Sequence, residues 1–168
     1  SSFFENRLTL PWQLHPVQQD VCCVQHGPLE IDVDATWREH QRFHCAWDDR
    51  MQAEIDAMRA ARPDRILADT PYLAVTAGAN AAVPTVALVS FTWDLVLSEF
   101  PVPPDVDSQT LIQSIRQAYA QADLALRITP SPTMSIFKRI IDVGPIADPV
   151  PSAREHLTKL LRLAPGEQ

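Results

Sequence analysis

Residues 63–100 decide the fold of this chain, and they read PDRILADTPYLAVTAGANAAVPTVALVSFTWDLVLSEF. Residues 65–69 are a short, mainly apolar run that predicts a strand, and residues 85–89 predict a second one. The alanine-rich residues 72–82 between them favour a helix packed closely against a sheet. Residues 91–100 return to a helical pattern. The order strand, helix, strand, helix is typical of βαβ units with parallel strands and right-handed crossovers.

The same alternation continues towards the C-terminus. Ser108 is a predicted N-cap for the next helix, and residues 123–128 and 140–146 predict two more strands. A last helix is predicted from Ser152 to Leu163. The whole pattern predicts an α/β fold, a Rossmann-like open parallel sheet with flanking helices.

The N-terminal third is less regular. Residues 1–27 predict one or two short strands interrupted by prolines. Asp34 is a predicted N-cap for one long helix over residues 35–61, which Pro63 ends. That helix carries an apolar stripe with a spacing of three or four residues, namely Phe43, Trp47, Met51, Ile55 and Met58.

Composition and length limit the class of protein. The 168 residues carry 14 Lys+Arg against 21 Asp+Glu, a net charge of −7, without a basic run, so we expect no nucleic-acid partner. No window reaches the roughly 18 consecutive apolar residues of a membrane span. Three cysteines form no disulfide framework and favour a reducing cytoplasm. We expect one domain over residues 1–163 and the start of an interdomain linker at residues 164–168.

Residues 63–74, from Pro63 to Ala74, resemble a segment of MurG-like and related glycosyltransferases of the GT-B fold, in which a strand ends in Asp before an Ala-rich helix. Residues 82–88 resemble the next strand of that family. Ser90-Phe91-Thr92-Trp93-Asp94 is similar to an Asn-Phe-(Ser/Thr)-Trp-Asp run in a bacterial subgroup of glycosyltransferase-like proteins. The same run occurs in the N-terminal region of arabinokinase-type proteins. Residues 142–146 resemble the strand near the interdomain crossing.

The resemblance implies a partial N-terminal, acceptor-side domain of the GT-B type. The family's opening strand with its Gly-rich turn has no counterpart, so Ser1 would lie inside the second βα unit. The missing C-terminal Rossmann domain, with most nucleotide-sugar contacts, would begin past Gln168. Ser90 stands where the bacterial subgroup has Asn. On this interpretation the chain alone is inactive, and an exposed sheet edge creates a risk of self-association.

Polar and aromatic side chains follow both strands of the central unit, and ligands of open parallel sheets bind outside the carboxyl ends of the strands. In a GT-B enzyme this is the acceptor side, where Asp69 or Asp94 would be the catalytic base for a small-molecule sugar acceptor. The alternative is structural: Asp69 caps the next helix and Trp93 belongs to the core. The predicted site residues are Asp69, Thr70 and Tyr72 after the first strand, and Ser90, Thr92, Trp93 and Asp94 after the second.

Three functions remain open on the sequence. The leading hypothesis is that the full-length protein transfers a sugar from a nucleotide-sugar donor to an acceptor, with no cofactor of its own. The second is a non-catalytic GT-B-like domain joined to a sugar kinase or acting as a binding module. The third is a UDP-sugar epimerase of the GT-B fold.

A metal site is not predicted. His40 and His44 have a spacing that suits zinc, next to Cys45, but no Glu lies between them as in His-Glu-x-x-His and no third ligand follows. We expect both histidines to be solvated or half-buried.

Overall fold

The computed structural model describes residues 2–147 and 160–161. The elements of residues 2–147 follow one another along the chain as α1 (Ser2–Glu5), β1 (Val24–Gln25), β2 (Ile31–Asp32), α2 (Val33–Cys45), α3 (Trp47–Ala61), β3 (Ile66–Asp69), α4 (Tyr72–Asn80), β4 (Thr85–Val89), α5 (Trp93–Ser98), α6 (Ser108–Tyr119), β5 (Leu124–Ile128) and β6 (Ile140–Val143).

Strands β3 to β6 form one four-stranded sheet in the order β3-β4-β5-β6, and every neighbouring pair is parallel. Helix α4 returns the chain from β3 to β4, and α5 with α6 returns it from β4 to β5. The predicted Rossmann-like open parallel sheet with flanking helices is therefore confirmed. Strands β1 and β2 pair antiparallel in a separate two-stranded ladder.

The core lies between the sheet and the helices that follow its strands. Every second residue of β4 is fully buried, namely Thr85, Ala87 and Val89, and Ala125 is fully buried on the neighbouring β5. Helix α4 approaches the sheet closely because it carries Gly78 there: a Cβ at this position would lie 2.7 Å from Ile66 Cδ1 and even closer to Thr85 Oγ1. The alanine-rich composition of this helix is thus explained by close helix–sheet packing.

The alternate residues of the sheet point to its other face, which is partly open. Leu67 on β3 is 63% exposed and Ile141 on β6 is 49% exposed. The register places Leu67 beside Val86 and Ile141 beside Leu126, so apolar side chains cross this face, on which Asp69 also lies at the end of β3. Parallel sheets are normally covered on both faces, which makes the exposure unusual.

The predicted helix over residues 35–61 is wrong as a single element. It breaks at Ala46, whose φ of −110° and ψ of 25° are not helical, into α2 and α3. The break accompanies tertiary packing, since Trp47 stacks on Tyr72 of α4 with ring centroids 5.7 Å apart. The N-cap is Asp32 instead of Asp34: its Oδ1 accepts a hydrogen bond of 2.8 Å from the Ala35 N–H. Asp34 lies in the first turn, where its charge favours the helix dipole.

Other boundaries moved by a few residues. Asp107, and not Ser108, caps α6, because its carboxylate accepts from the Thr110 N–H at 3.1 Å. The last predicted strand ends at Val143. The predicted helix 152–163, the domain boundary at 163 and the linker at 164–168 lie outside the described residues, except for two helical positions at 160–161. In the part of the chain that the structure describes, no helix has the length and apolar character needed to cross a bilayer.

Candidate functional site

Two turns at the carboxyl end of the sheet form hydrogen bonds with the hydroxyl of the same tyrosine. Thr70 follows β3, and Trp93 begins α5 shortly after β4. The hydroxyl of Tyr119, on α6, donates to the Thr70 carbonyl at 2.7 Å, and a backbone hydrogen bond from Trp93 reaches the same phenol. The structure therefore brings the two predicted turns next to each other outside the carboxyl ends of the strands, a region called the strand-end crevice below, as their parallel strands require.

The first of these turns holds a strained residue. Thr70 has φ of 73°, in the left-handed region that β-branched residues rarely adopt. Its N–H donates to the Leu88 carbonyl at 3.1 Å, and its own carbonyl accepts from Tyr119. Such conformations persist where surrounding contacts enforce them, and they cluster at functional sites.

The two predicted catalytic carboxylates differ in environment. Asp69 is exposed, and within the described residues its side chain forms no hydrogen bond or ion pair. It does not cap α4, whose N-cap is Pro71 without a side-chain hydrogen bond. Asp94 is only 2% exposed, with Oδ2 3.7 Å from the Arg116 Nε and Oδ1 lacking a partner among the described residues. The catalytic role of either carboxylate stays a prediction.

Trp93 belongs largely to the core. It is 5% exposed, and its ring packs against His40 at a centroid distance of 5.1 Å and against Phe91 at 5.4 Å. Its Nε1–H donates to Asp20 Oδ2 at 3.0 Å. Its role as a substrate-binding residue stays a prediction.

Asp20 is a carboxylate near the predicted site that the sequence analysis missed. Burial raises the pKa of this half-buried carboxyl, the hydrogen bond from Trp93 opposes that shift, and repulsion from Asp69 adds to it. A second carboxylate thus lies near Asp69 at the strand ends. No local pattern singled it out, because Asp20 reaches the crevice from a segment that forms neither helix nor strand.

The remaining predicted residues are less accessible. Tyr72 is fully buried, and its hydroxyl lies 3.2 Å from His44 Nε2 and 3.4 Å from His40 Nδ1. Thr92 is also fully buried, and its hydroxyl has no partner in the described part of the chain. Ser90 is half-buried. Asp69, Thr70 and Ser90 are therefore the predicted site residues that keep exposed surface.

The expectation for the histidines was wrong for His40, which is fully buried, while His44 is half-buried. Burial lowers the pKa of each ring to about 4, and for His40 repulsion from His44 contributes. Both rings are therefore neutral at pH 7. Across residues 2–147 and 160–161, no three His, Cys, Asp or Glu side chains are grouped to hold a metal ion.

Comparison with known proteins gives one distant relative. The chain is similar to L-arabinokinase of Arabidopsis thaliana, with 21% identity over 153 residues, covering 90% of this chain and 15% of that relative. The chain thus spans a small part of the relative's length. No protein-family model matches the chain, and no solved structure matches it. The similarity agrees with the arabinokinase-type part of the resemblance, and the MurG-like part stays a prediction.

Proposed function

We propose that this domain is the acceptor side of a glycosyltransferase that uses a nucleotide-sugar donor. One observation carries the proposal: Asp69 is an exposed carboxylate without a hydrogen bond or ion pair in the described residues, at the carboxyl end of a parallel strand. A surface Asp that caps no helix and pairs with no cation has no evident structural use at this position. Ligands of such sheets bind at this end.

In an inverting transfer, Asp69 takes the proton of the acceptor hydroxyl. The acceptor oxygen then forms the bond to the anomeric carbon as the bond from that carbon to the nucleoside diphosphate breaks. Asp20 lies near Asp69, and burial together with repulsion from Asp69 raises the pKa of Asp20. Thr70 and Ser90 line the approach as substrate-binding residues. Asp94 is the weaker candidate for the base because it is 2% exposed.

A second function has its own support. The relative is named L-arabinokinase, a sugar kinase by that name, and it extends far beyond the region that aligns with this chain. In this alternative the domain is a non-catalytic module of a sugar-phosphorylating protein, and the crevice binds a sugar without transferring it.

The test uses the protein that carries this domain and assays both reactions, sugar transfer from a panel of UDP- and GDP-sugars and phosphorylation of free pentoses and hexoses by ATP. If the first proposal holds, Asp69→Asn lowers transfer by about 100-fold or more, the size expected for loss of a general base. Asp64→Asn, an exposed Asp at the opposite end of β3, is the matched control and leaves transfer unchanged. Phosphorylation without any transfer, unaffected by Asp69→Asn, would establish the second function and overturn the first.

A further inference from the structure

A groove lies on the helical layer, on a different part of the molecule from the strand-end crevice. Its walls are the break between α2 and α3 on one side and α6 on the other, and Thr76 of α4 contributes to its floor. Its volume is about 730 Å³. Small-molecule sites are typically concave and of about 300–1,000 Å³.

The groove is lined by side chains that hydrogen-bond in both directions. Asp48 and Asp49 contribute carboxylates, Gln117 an amide, and Thr76 and Ser114 hydroxyls. Neither Asp48 nor Asp49 forms an ion pair with a residue that the structure describes. The Ser114 hydroxyl already donates to the Thr110 carbonyl at 2.9 Å and so offers a ligand an acceptor, as the two carboxylates do, while the Gln117 amide offers both a donor and an acceptor.

The charge of the groove excludes one class of ligand. No lysine or arginine lines it, while Asp107 joins the two other carboxylates. Hydrogen bonds from Thr110 lower the pKa of Asp107. His44 adds no compensating charge, since burial lowers its pKa to about 4. A phosphate or nucleotide would meet net negative charge without a cationic partner.

An aromatic ring also lines the groove. Trp47 is half-buried and is fixed by stacking on His44, with centroids 4.8 Å apart and planes 5° apart, and on Tyr72 at 5.7 Å. An indole held in this way offers apolar surface next to a polar rim at little entropic cost. Apolar ring surface surrounded by carboxylates, amides and hydroxyls matches a molecule with C–H faces and a belt of hydroxyl groups.

We propose that this groove binds a neutral sugar, of mono- or disaccharide size, at a site separate from the strand-end crevice. The inference does not rest on the proposed transferase activity, because none of its lining residues belongs to that site. It assigns function to the helix break at Ala46, which brings Trp47, Asp48 and Asp49 to the groove.

The test is a titration of the chain with a panel of neutral sugars (glucose, galactose, L-arabinose, maltose, lactose, cellobiose), followed by ¹H–¹⁵N NMR. We expect shifts in the Trp47 indole and Gln117 amide signals. Gln117→Ala should weaken binding by about fivefold, since one hydrogen bond to a ligand hydroxyl is lost. Gln113→Ala is the matched control on the same helix, exposed and outside the groove, and should leave the affinity unchanged.

Three results would overturn the proposal. One is the absence of groove shifts with every sugar of the panel at tens of millimolar. Another is binding that Gln117→Ala and Gln113→Ala affect equally. The third is groove binding by spermidine alone, which would make the site a cation site. Asp69→Asn separates this proposal from the transferase proposal, because it should leave the groove signals and affinity unchanged.

Discussion

Burial of the His40 ring lowers its pKa. It lies on α2, fully buried against the Trp93 ring, with Nδ1 3.4 Å from the Tyr72 hydroxyl and Nε2 without a partner in the described residues. A cationic ring in this place would lack an anionic partner, so the fold keeps it neutral. The cost of protonating it must appear in the stability of the protein.

That cost predicts acid sensitivity. The pKa of His40 is about 4 in the fold against 6.5 in the unfolded chain, so between these values the unfolded state binds the extra proton. The free energy of unfolding should therefore fall as the pH drops from about 6.5 towards 4, by roughly 1 kcal/mol per pH unit. Urea denaturation of the wild type and His40→Gln at pH 7 and pH 5 measures the effect, which the variant should reduce. His15→Gln, at an exposed histidine, is the control. An unchanged pH dependence in His40→Gln contradicts the prediction.

At the scale of the element, α4 shows how packing can reverse a local preference. An interior glycine weakens a helix by about 1 kcal/mol relative to alanine, so propensity alone would favour alanine at position 78. The sheet forbids it, because Thr85 and Ile66 occupy the space that a methyl group would need. Gly78 thereby lets the last turn of α4 lie against the first residues of β3 and β4.

Gly78→Ala should therefore destabilise the protein by about 1–3 kcal/mol, the usual cost of overpacking. Thermal or urea denaturation measures it, and Gly144→Ala is the control because a Cβ there has no neighbour within 4 Å in the described structure. A stabilised Gly78→Ala variant would show that helix propensity outweighs packing here and that α4 can move away from the sheet.

At the scale of the whole molecule, one face of the sheet leaves apolar side chains exposed to solvent. Leu67 and Ile141 are 63% and 49% exposed on a face that carries apolar side chains from β3 to β6, with Asp69 at its carboxyl edge. Exposed apolar patches of this kind promote association. The self-association expected from an exposed sheet edge thus has a second possible cause.

The double variant Leu67→Lys, Ile141→Lys should lower self-association at high protein concentration, because two lysines interrupt the apolar face. Static light scattering against concentration measures it. Leu29→Lys is the control, since Leu29 is 95% exposed and lies outside the sheet. A wild type that stays monomeric at high concentration, or a control that acts as strongly as the double variant, would contradict the role of this face.

Sequence patterns by themselves determined the parallel sheet and its strand ends. The apolar runs at residues 66–69 and 85–89 are separated by a short helical segment. A helix between two neighbouring strands is a crossover connection, so the two strands must run parallel. That constraint is local, so the placement of Asp69 and Thr70 at the carboxyl end followed from it. Pattern reasoning was wrong in predicting one helix over residues 35–61. The apolar stripe continues past Ala46, whereas the helical backbone is interrupted there.

Only the tertiary structure decided which side chains surround the strand ends. Asp20 and Trp93 are 73 residues apart in the chain and 3.0 Å apart at their polar atoms. The burial of His40 and the groove beside Trp47 likewise depend on how α2 and α3 pack on α4 and α6. Periodicity reports which face of an element is buried, and it carries no information about which distant segment covers that face. Contacts of that kind are set by the packing of the whole chain.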